Sequence, residues 1–482
     1  MYQIFPDRFF KSGEILVEKG KWLHRDWHET PEFRPNEKGK ILNNDFFGGN
    51  FRGILKKLDY LQSLHVTVIY LNPIFRAFSN HRYDTGDYMQ LDPMLGSEED
   101  FSALVSECGK RGIRLILDGV FNHTGDDSRY FNKYGTYDEI GAYQSKDSKY
   151  YSWYNFRHFP DKYDSWWGID VLPAVNENCP SYIDFITGEN GVLRRWMKYP
   201  LGGFRLDVAD ELPDEFVAKI RSAVKSANGD AVVIGEVWED ASNKIAYSTR
   251  RKYFQGEELD SVMNYPLKDA IINFVVSGNT SLLRRTVGML LDHYPKCVLD
   301  SLMNILGTHD TVRVLTALGG VCAYNKEEMA VLKLSAEQRA VATERLKIAA
   351  ILLYTFFGVP CIYYGDEIGM EGYSDPFCRK PFAWDLIDED ILSHYRWLGE
   401  LRSRYTVFRD GDYRELYHDD NCIVFERRKG KEAVITVANL GNNKYTLHFN
   451  GVLYNQLSGE RCVDRVDIEP HHIAVYGNIS II

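Results

Sequence analysis

The stretch GGFRLDVADE, residues 202–211, contains a short apolar strand pattern that nevertheless carries an arginine and an aspartate two positions apart. Side chains two positions apart on a strand point to the same face, so Arg205 and Asp207 are expected to lie side by side. A charge in a buried strand is costly unless an opposite charge accompanies it. The stretch therefore predicts a buried ion pair at the carboxyl end of a strand.

Working outward from this stretch, similar short apolar runs alternate with amphipathic helical patterns. Repeated strand–helix units indicate a parallel sheet, and eight of them over about 400 residues favour a (β/α)8 TIM barrel. A doubly wound sheet is the alternative, but no glycine-rich phosphate turn follows the first strand. The predicted strands are Tyr2–Phe5, Val66–Leu71, Ile113–Val120, Gly203–Val208, Ala231–Glu236, Ser261–Asn264, Leu302–Leu306 and Cys361–Tyr364, and the predicted helices include Phe51–Leu64, Ser97–Arg111, Asp214–Ala227 and Ala336–Thr355.

Two regions interrupt this alternation. Residues 124–180 show no regular period and are dense in Tyr, Trp, Asp and Gly, which indicates a loop insertion after the third strand. The last part of the chain has short alternating strand patterns, typical of a small antiparallel β-sandwich domain. The predicted organisation is an α/β barrel over 1–123 and 181–405, an insertion over 124–180 and a C-terminal β domain over 406–482.

Composition and charge exclude several classes of protein. The net charge of −11 argues against a nucleic-acid partner, because phosphate binding favours a basic surface. No apolar run approaches the length of a membrane span. The many aromatic residues, 31 Tyr, 26 Phe and 9 Trp, would suit stacking on sugar rings as well as core packing.

The cysteines and the first residues bear on location. The eight cysteines are scattered without metal-site spacing, which indicates buried free thiols in a reducing compartment. The start, MYQIFPDRFF, begins directly in a predicted strand and lacks the pattern of a signal peptide. We therefore expect a cytoplasmic protein, with the alternative that an N-terminal domain or signal was removed. The sequence indicates no oligomeric state.

Polar side chains are concentrated where the predicted strands end, the place at which barrel enzymes carry their active sites. A salt bridge or a helix cap would explain any one of them alone. Four carboxylates from four different strands instead predict one shared site. The residues are His81 and Tyr83 after the second strand, Asp118, Asn122 and His123 at the third, Arg205 and Asp207 at the fourth, Glu236 and Trp238 at the fifth, and His309 and Asp310 at the seventh.

Two carboxyl groups at one centre indicate cleavage of a glycosidic bond, with one group ionised and the other protonated. Arg205 is expected to lower the pKa of Asp207 and to keep it charged. Apolar neighbours and nearby like charges are expected to raise the pKa of Glu236, which suits a general acid. His81 and His309 could donate hydrogen bonds to sugar hydroxyls.

The segments DGVFNH, GFRLDVADE, GEVWED and ILGTHD resemble, in order and spacing, the four signature regions of the α-amylase family of glycoside hydrolases, family 13. The resemblance covers nearly the whole chain. It implies that Asp207 is the catalytic nucleophile, Glu236 the general acid/base and Asp310 the third carboxylate, which supports the transition state. The supporting residues it implies are His123, Arg205 and His309 around the first sugar, Tyr83 stacked under that sugar with His81 beside it, and Asp118 as a structural carboxylate paired with the arginine.

The segment LPAVN, residues 172–176, resembles the MPKLN form of neopullulanases, cyclomaltodextrinases and maltogenic amylases. GEVWED and SDPFCRKPFAWD, residues 374–385, favour the same branch, in which Val237 and Trp238 would line the leaving-group subsites. The resemblance implies retaining hydrolysis of α-1,4 bonds in starch, maltodextrins, pullulan or cyclodextrins. Three alternatives stay open: an α-1,6-acting pullulanase or oligosaccharide glucosidase, a transglycosylase, and a non-catalytic binding protein of the same fold.

The family's calcium site uses an asparagine, an aspartate and a histidine side chain. Asn122 matches the asparagine, but the other two positions hold Ala174 and Glu211. Because calcium requires several oxygen ligands in one shell, we expect an incomplete calcium site and no required cofactor or metal, with bound calcium as the alternative. In the insertion, Trp166 and Trp167 are either a sugar platform or residues that pack the loop.

Overall fold

A computed structural model describes residues 1–479 and divides the chain into two compact units. The first comprises Met1–Gln62, Val66–Met263 and Asp375–Ala383. The second comprises Ser63–His65, Asn264–Ser374 and the segment that begins at Trp384. The predicted boundaries of the barrel, the insertion and the C-terminal domain stay predictions, and the last three residues of the predicted 406–482 domain lie outside the described residues.

The first unit contains a parallel sheet, several two-stranded sheets and seven α-helices within the described residues. Its strands are β1 (Tyr2–Ile4), β2 (Trp22–Leu23), β3 (Asp45–Phe46), β4 (Val68–Leu71), β5 (Phe75–Ala77), β6 (Thr85–Leu91), β7 (Arg114–Gly119), β8 (Phe156–His158), β9 (Lys162–Tyr163), β10 (Gly203–Leu206), β11 (Val232–Gly235), β12 (Ile245–Ala246), β13 (Thr249–Arg250) and β14 (Ser261–Asn264). Its helices are α1 (Pro6–Phe9), α2 (Phe51–Lys56), α3 (Leu58–Ser63), α4 (Glu98–Lys110), α5 (Pro180–Thr187), α6 (Val192–Trp196) and α7 (Asp214–Ala227).

The parallel sheet of this unit has the strand order β14–β11–β10–β7–β4–β1. Its strands are apolar and buried almost throughout, as expected for a parallel sheet covered on both faces. In the register, Leu206 of β10 pairs with Gly235 of β11. Asp207 and Glu236 each follow one of these residues, so the two carboxylates leave the sheet side by side.

The second unit carries the remaining elements. Its strands are β15 (Met303–Asn304), β16 (Val359–Pro360), β17 (Ile362–Tyr363), β18 (Asp412–His418), β19 (Cys422–Lys429), β20 (Glu432–Asn439), β21 (Tyr445–Asn455), β22 (Arg461–Ile468) and β23 (His472–Gly477). Its helices are α8 (Tyr265–Ser277), α9 (Ser281–His293), α10 (Lys296–Ser301), α11 (Val314–Gly319), α12 (Lys326–Val331), α13 (Ala336–Thr355), α14 (Glu389–Arg404) and α15 (Val407–Asp410).

The C-terminal strands form one six-stranded antiparallel sheet in the order β18–β19–β20–β23–β21–β22. Alternate side chains build an apolar core on one face, including Val424, Ile435, Val437 and Tyr476. Phe425 of β19 stacks on Phe356 at a centroid distance of 4.5 Å. The predicted antiparallel β character of this region is confirmed.

All eight predicted strands are present, each within the predicted range. The predicted helix Phe51–Leu64 is divided into α2 and α3, because the N–H of Lys57 bonds to the carbonyls of Ile54 and Leu55 and ends the first helix there. All eight cysteines are free and six of them are buried. Within residues 1–479, no helix has the length and apolar composition needed to cross a membrane.

Candidate active site

Arg205 lies at the centre of a cluster of three carboxylates in the first unit. Its Nη1 lies 2.8 Å from Oδ1 of Asp118 and 2.8 Å from Oδ1 of Asp207, and its Nη2 lies 2.8 Å from Oε2 of Glu236. All four side chains are at least nine-tenths buried. The predicted pair of Arg205 and Asp207 is present, and the same guanidinium also contacts Glu236 and Asp118.

Three buried carboxylates around one guanidinium leave the cluster with excess negative charge. Burial raises the pKa of Asp207 well above its ordinary value of 3.8, and the charges of Glu236 and Asp118 act in the same direction while Arg205 opposes them. Burial likewise raises the pKa of Asp118. The guanidinium lowers the pKa of Asp207 as expected, but burial outweighs it. The cluster therefore favours binding a proton, which belongs to the group as a whole.

The turn after β10 connects the two predicted catalytic carboxylates. Val208 adopts φ 40° and ψ 49°, a left-handed conformation that a β-branched residue rarely takes. In this conformation its main-chain N–H donates a 2.8 Å hydrogen bond to Oε2 of Glu236, while the N–H of Asp207 donates to the carbonyl of Gly119. The strained turn thus helps to hold Glu236 beside Asp207.

Tyr83 is fixed by its hydroxyl group. The hydroxyl donates to Oδ2 of Asp118 at 2.8 Å and accepts from the amide of Asn72 at 2.9 Å. Tyr70 donates to the same Asp118 oxygen at 2.7 Å. His81, the predicted neighbour of Tyr83, lies near it, and the two ring centroids are 5.9 Å apart. The tyrosine ring is thereby held in one orientation beside the carboxylate cluster.

His123 and Asn122 follow β7. His123 is buried, burial lowers its pKa to about 4, and the ring is therefore neutral near pH 7. Its Nε2 has no hydrogen-bond partner within residues 1–479, which leaves that nitrogen available to a substrate hydroxyl. The opposite nitrogen faces Oδ1 of Asn122 at 3.3 Å, and the ring stacks on Trp166 at a centroid distance of 5.4 Å.

Trp238 and Val237, the predicted leaving-group residues, differ in exposure. Trp238 is 45% exposed and its indole N–H donates to Oε1 of Glu236 at 3.0 Å. Val237 is fully buried. Trp238 is thus placed to touch a ligand at Glu236, whereas the role of Val237 stays a prediction.

His309 and Asp310 belong to the second unit. They lie in the loop between β15 and α11, where Nε2 of His309 is 3.1 Å from Oδ2 of Asp310. His309 is almost fully buried, and the Asp310 side chain is 32% exposed. Because the Asp310 carboxylate is partly exposed and the buried His309 lies beside it, this pair could bind a polar ligand.

Sequence analysis missed several residues of the first-unit site: Tyr70, which bonds to Asp118, the backbone of Val208, Glu177 in the predicted insertion, and Tyr247. Tyr70 lies at the polar end of a predicted strand and could have been found by the rule that identified Asp118. The others come together only through tertiary contacts.

The residues at the family's calcium position do not fit a calcium ion. Ala174 offers no side-chain oxygen, the amide of Asn122 donates to Glu177, and Glu211 accepts hydrogen bonds from two indole groups. Burial raises the pKa of Glu177 to about 8, so that it is mostly protonated at neutral pH. Within residues 1–479 there is no cluster of three or more acidic, His or Cys side chains arranged to hold a metal ion.

Comparison with known proteins agrees with this arrangement. Residues 3–405 match the family model described as alpha amylase, catalytic domain. An amylopullulanase from Thermoanaerobacter thermohydrosulfuricus is 38% identical over 478 residues, covering 89% of this chain and 31% of the relative. A cyclomaltodextrinase from Geobacillus thermopakistaniensis is 34% identical over 479 residues, covering 95% of this chain and 72% of the relative. The chain thus spans about a third of the amylopullulanase's length.

Among solved structures, the ligand-free cyclic α-maltosyl-(1→6)-maltose hydrolase from Arthrobacter globiformis superposes with a TM-score of 0.81 at 29% identity, covering 99% of this chain and 98% of that chain. The match confirms the predicted fold, a (β/α)8 barrel followed by a C-terminal β domain. Because the family model matches residues 3–405 and the cyclomaltodextrinase is 34% identical over most of its length, the chain belongs to the α-amylase family of glycoside hydrolases, family 13.

Proposed function

We propose that the chain is a retaining α-glucan hydrolase that cleaves α-1,4-glucosidic bonds in starch, maltodextrins, pullulan or cyclodextrins. The observation that carries the proposal is the single guanidinium of Arg205, which contacts both Asp207 and Glu236 at 2.8 Å. Two carboxyl groups within reach of one side chain fit the short separation of about 5 to 5.5 Å that retention requires.

In the first step, Glu236 donates a proton to the glycosidic oxygen as the carboxylate of Asp207 attacks the anomeric carbon. The bond from that carbon to the leaving oxygen breaks, and a covalent glycosyl-enzyme forms on Asp207. Oε2 of Glu236 already faces the Val208 N–H and the Arg205 guanidinium. The transferable proton therefore belongs on Oε1, beside Trp238.

In the second step, Glu236 accepts a proton from water while the water oxygen attacks the anomeric carbon. The ester bond to Asp207 breaks, the carboxylate is restored, and the sugar leaves with its original configuration. Burial raises the pKa of Asp207, and Arg205 opposes this effect and so helps the carboxylate to form before attack and after release.

The remaining residues bind the sugar. The ring of Tyr83, held by Asp118 and Asn72, would stack on the first sugar, with His81 beside it. The free Nε2 of His123 would bond to a hydroxyl of that sugar. Asp310 and His309 carry the roles that the family implies, gripping substrate hydroxyls and supporting the transition state. Trp238 would contact the leaving group.

A second candidate is α-1,6 cleavage or transglycosylation at the same site. The similarity of the chain to an amylopullulanase favours α-1,6 cleavage as this second candidate. Both candidates use the same carboxylates. They differ in the surrounding loops, which select the acceptor and the linkage. We further propose that the enzyme requires no metal and acts in the cytoplasm.

Product analysis on pullulan, with soluble starch in parallel and Asp207→Asn as the inactive control, tests the proposal. Panose released from pullulan would support α-1,4 cleavage beside a branch. Maltotriose would support α-1,6 cleavage. The hydrolase proposal fails if neither polymer is cleaved, or if Asp207→Asn releases sugar as fast as the unmodified chain.

A further inference from the structure

Two strongly exposed aromatic residues of the first unit have an unusual backbone conformation. Trp167 is 81% exposed with φ 50°, and Tyr247 is 74% exposed with φ 51°. A left-handed conformation costs a non-glycine residue about 1 to 3 kcal/mol and persists only where the surroundings impose it. The surroundings of each residue therefore fix its backbone while its ring is exposed.

Glu211 holds the tryptophan. Its Oε1 accepts hydrogen bonds from the indole N–H of Trp167 at 2.7 Å and of Trp166 at 3.2 Å. The two indole rings lie 5.7 Å apart at 32° to each other. One carboxylate oxygen thus fixes the edges of both rings, while the faces of Trp167 stay largely open to solvent.

Tyr247 comes from a different segment, and its hydroxyl lies within the electrostatic influence of Glu211. It occupies the first position of the two-residue turn between β12 and β13, where both Tyr247 and Ser248 have positive φ, as in a type I′ hairpin. Burial and the charges of Glu211 and Glu177 raise the pKa of its hydroxyl. Glu211 therefore bonds to the insertion and lies near the hairpin tip, and we call Trp166, Trp167 and Tyr247 the aromatic wall.

The aromatic wall is continuous with the candidate active site. Trp166 stacks on His123, whose free Nε2 is available to substrate. Glu211 follows the nucleophile Asp207 by four residues, in the turn that also holds Val208. A ligand bound at the carboxylates and extended past His123 would meet the wall.

We propose that Trp167 stacks on a glucose unit of the bound α-glucan outside the subsite of the cleaved bond, and that Glu211 is the positioning residue that holds it there. The inference rests on the proposed function and deepens it. Glucose rings have apolar faces that stack on aromatic planes. The surrounding acids and the net charge of −11 favour a neutral ligand over an anionic one.

Binding measured in the full chain carrying Asp207→Asn tests this inference without turnover. Calorimetry would compare maltotriose with maltoheptaose, and the readout is the ratio of their affinities. Trp167→Ala and Glu211→Ala should each lower this ratio about tenfold, and the double variant should lower it no further, because both changes remove the same contact. Trp167→Phe, which keeps an aromatic ring, should restore part of it.

The matched control is Tyr134→Ala, which removes an exposed aromatic residue of the same insertion whose hydroxyl bonds to Asp126. Its ratio should equal that of the parent. A purely structural role for Trp167 would weaken both sugars equally and leave the ratio unchanged, and that result overturns the inference while the hydrolase proposal stands. If the parent binds neither sugar and the active chain cleaves neither starch nor pullulan, both fail together.

Discussion

The main-chain N–H of Val208 donates a 2.8 Å hydrogen bond to Oε2 of Glu236. The residue that follows one predicted catalytic carboxylate thereby orients the other. The bond depends on the left-handed backbone of Val208, a conformation that costs free energy. Strain at this turn is thus coupled to the geometry of the pair.

Two replacements of Val208 distinguish the effect of backbone strain on stability from its effect on catalysis. Glycine adopts a left-handed backbone without strain, so Val208→Gly should unfold at a urea concentration no lower than Val208→Ala, which keeps the strain and loses the same methyl groups. The added backbone freedom should lower kcat of Val208→Gly about tenfold relative to Val208→Ala. Urea unfolding and starch hydrolysis measure the two effects. Earlier unfolding of the glycine variant would contradict the assigned strain.

Asp207→Asn should abolish starch hydrolysis, with a loss of about 10⁴-fold or more, because no other group can form the covalent intermediate. Asp207→Asn should also raise the Tm of the protein. The pKa of Asp207 is higher in the folded chain than its ordinary 3.8, so its ionised form opposes folding, and stability falls as pH rises above about that value. The gain in Tm should therefore be larger at pH 8 than at pH 5. A lower Tm for the variant at both values would contradict the charge balance of the cluster.

Tyr83 should act through its ring more than through its hydroxyl. Tyr83→Phe loses the hydrogen bonds to Asp118 and Asn72 but keeps the stacking face, so kcat/KM should fall by no more than about tenfold. Tyr83→Ala removes the face as well and should lower kcat/KM about a hundredfold. Steady-state kinetics on a maltooligosaccharide compare the two. Equal losses in both variants would assign the whole effect to the hydroxyl.

Glu177 should make stability depend on pH. Its pKa is about 8 in the folded chain against an ordinary 4.5, so the folded state holds a proton that the unfolded state has released between these values. Stability is then lost as pH rises through this window, by at most about 1.4 kcal/mol per pH unit.

Glu177→Gln keeps the oxygen that accepts from Asn122 but cannot ionise. The variant should gain free energy of unfolding relative to the unmodified chain as the pH rises from 5 to 8. Urea unfolding at several pH values gives the difference, and parallel curves for the two proteins would show that Glu177 does not titrate in this range.

Removal of metal ions should leave the enzyme unchanged. Asn122 and Glu211 already bond to protein groups, and Ala174 has no side-chain oxygen to offer. Treatment with EDTA, followed by a starch assay and a thermal melt, should give the same rate and the same Tm as the untreated protein. A drop in either that calcium restores would locate a metal site elsewhere in the chain.

The strands were predictable because parallel strands buried on both faces are nearly continuous apolar runs with clear ends. The predicted strand Gly203–Val208 ends at Leu206 in the structure, since Asp207 and Val208 turn away from the sheet. Asp118, Asp207 and Glu236 were found from their places at strand ends, and the register of β7, β10 and β11 brings them together.

The direction of the pKa shift at Asp207 was beyond sequence analysis. The sequence shows Arg205 as the neighbour of Asp207 on one strand face, which predicts a lowered pKa. The structure shows the same guanidinium shared with Asp118 and Glu236 in a buried cluster, where burial outweighs the attraction. The pKa of Asp207 depends on burial and on charges from other strands, and the spacing of residues along one strand does not show these.

The sequence by itself determined the family, the alternation of strands and helices, and the carboxylates and arginine at the strand ends, because these depend on local periodicity and on motif spacing along the chain. Tertiary structure alone decided which hydrogen-bond donor contacts which carboxylate oxygen in the site. Glu211 and the pair Trp166 and Trp167 belong to separate segments, and only folding brings the two indole N–H groups to one carboxylate oxygen. Contacts between distant segments depend on how loops close, and no local pattern encodes that closure.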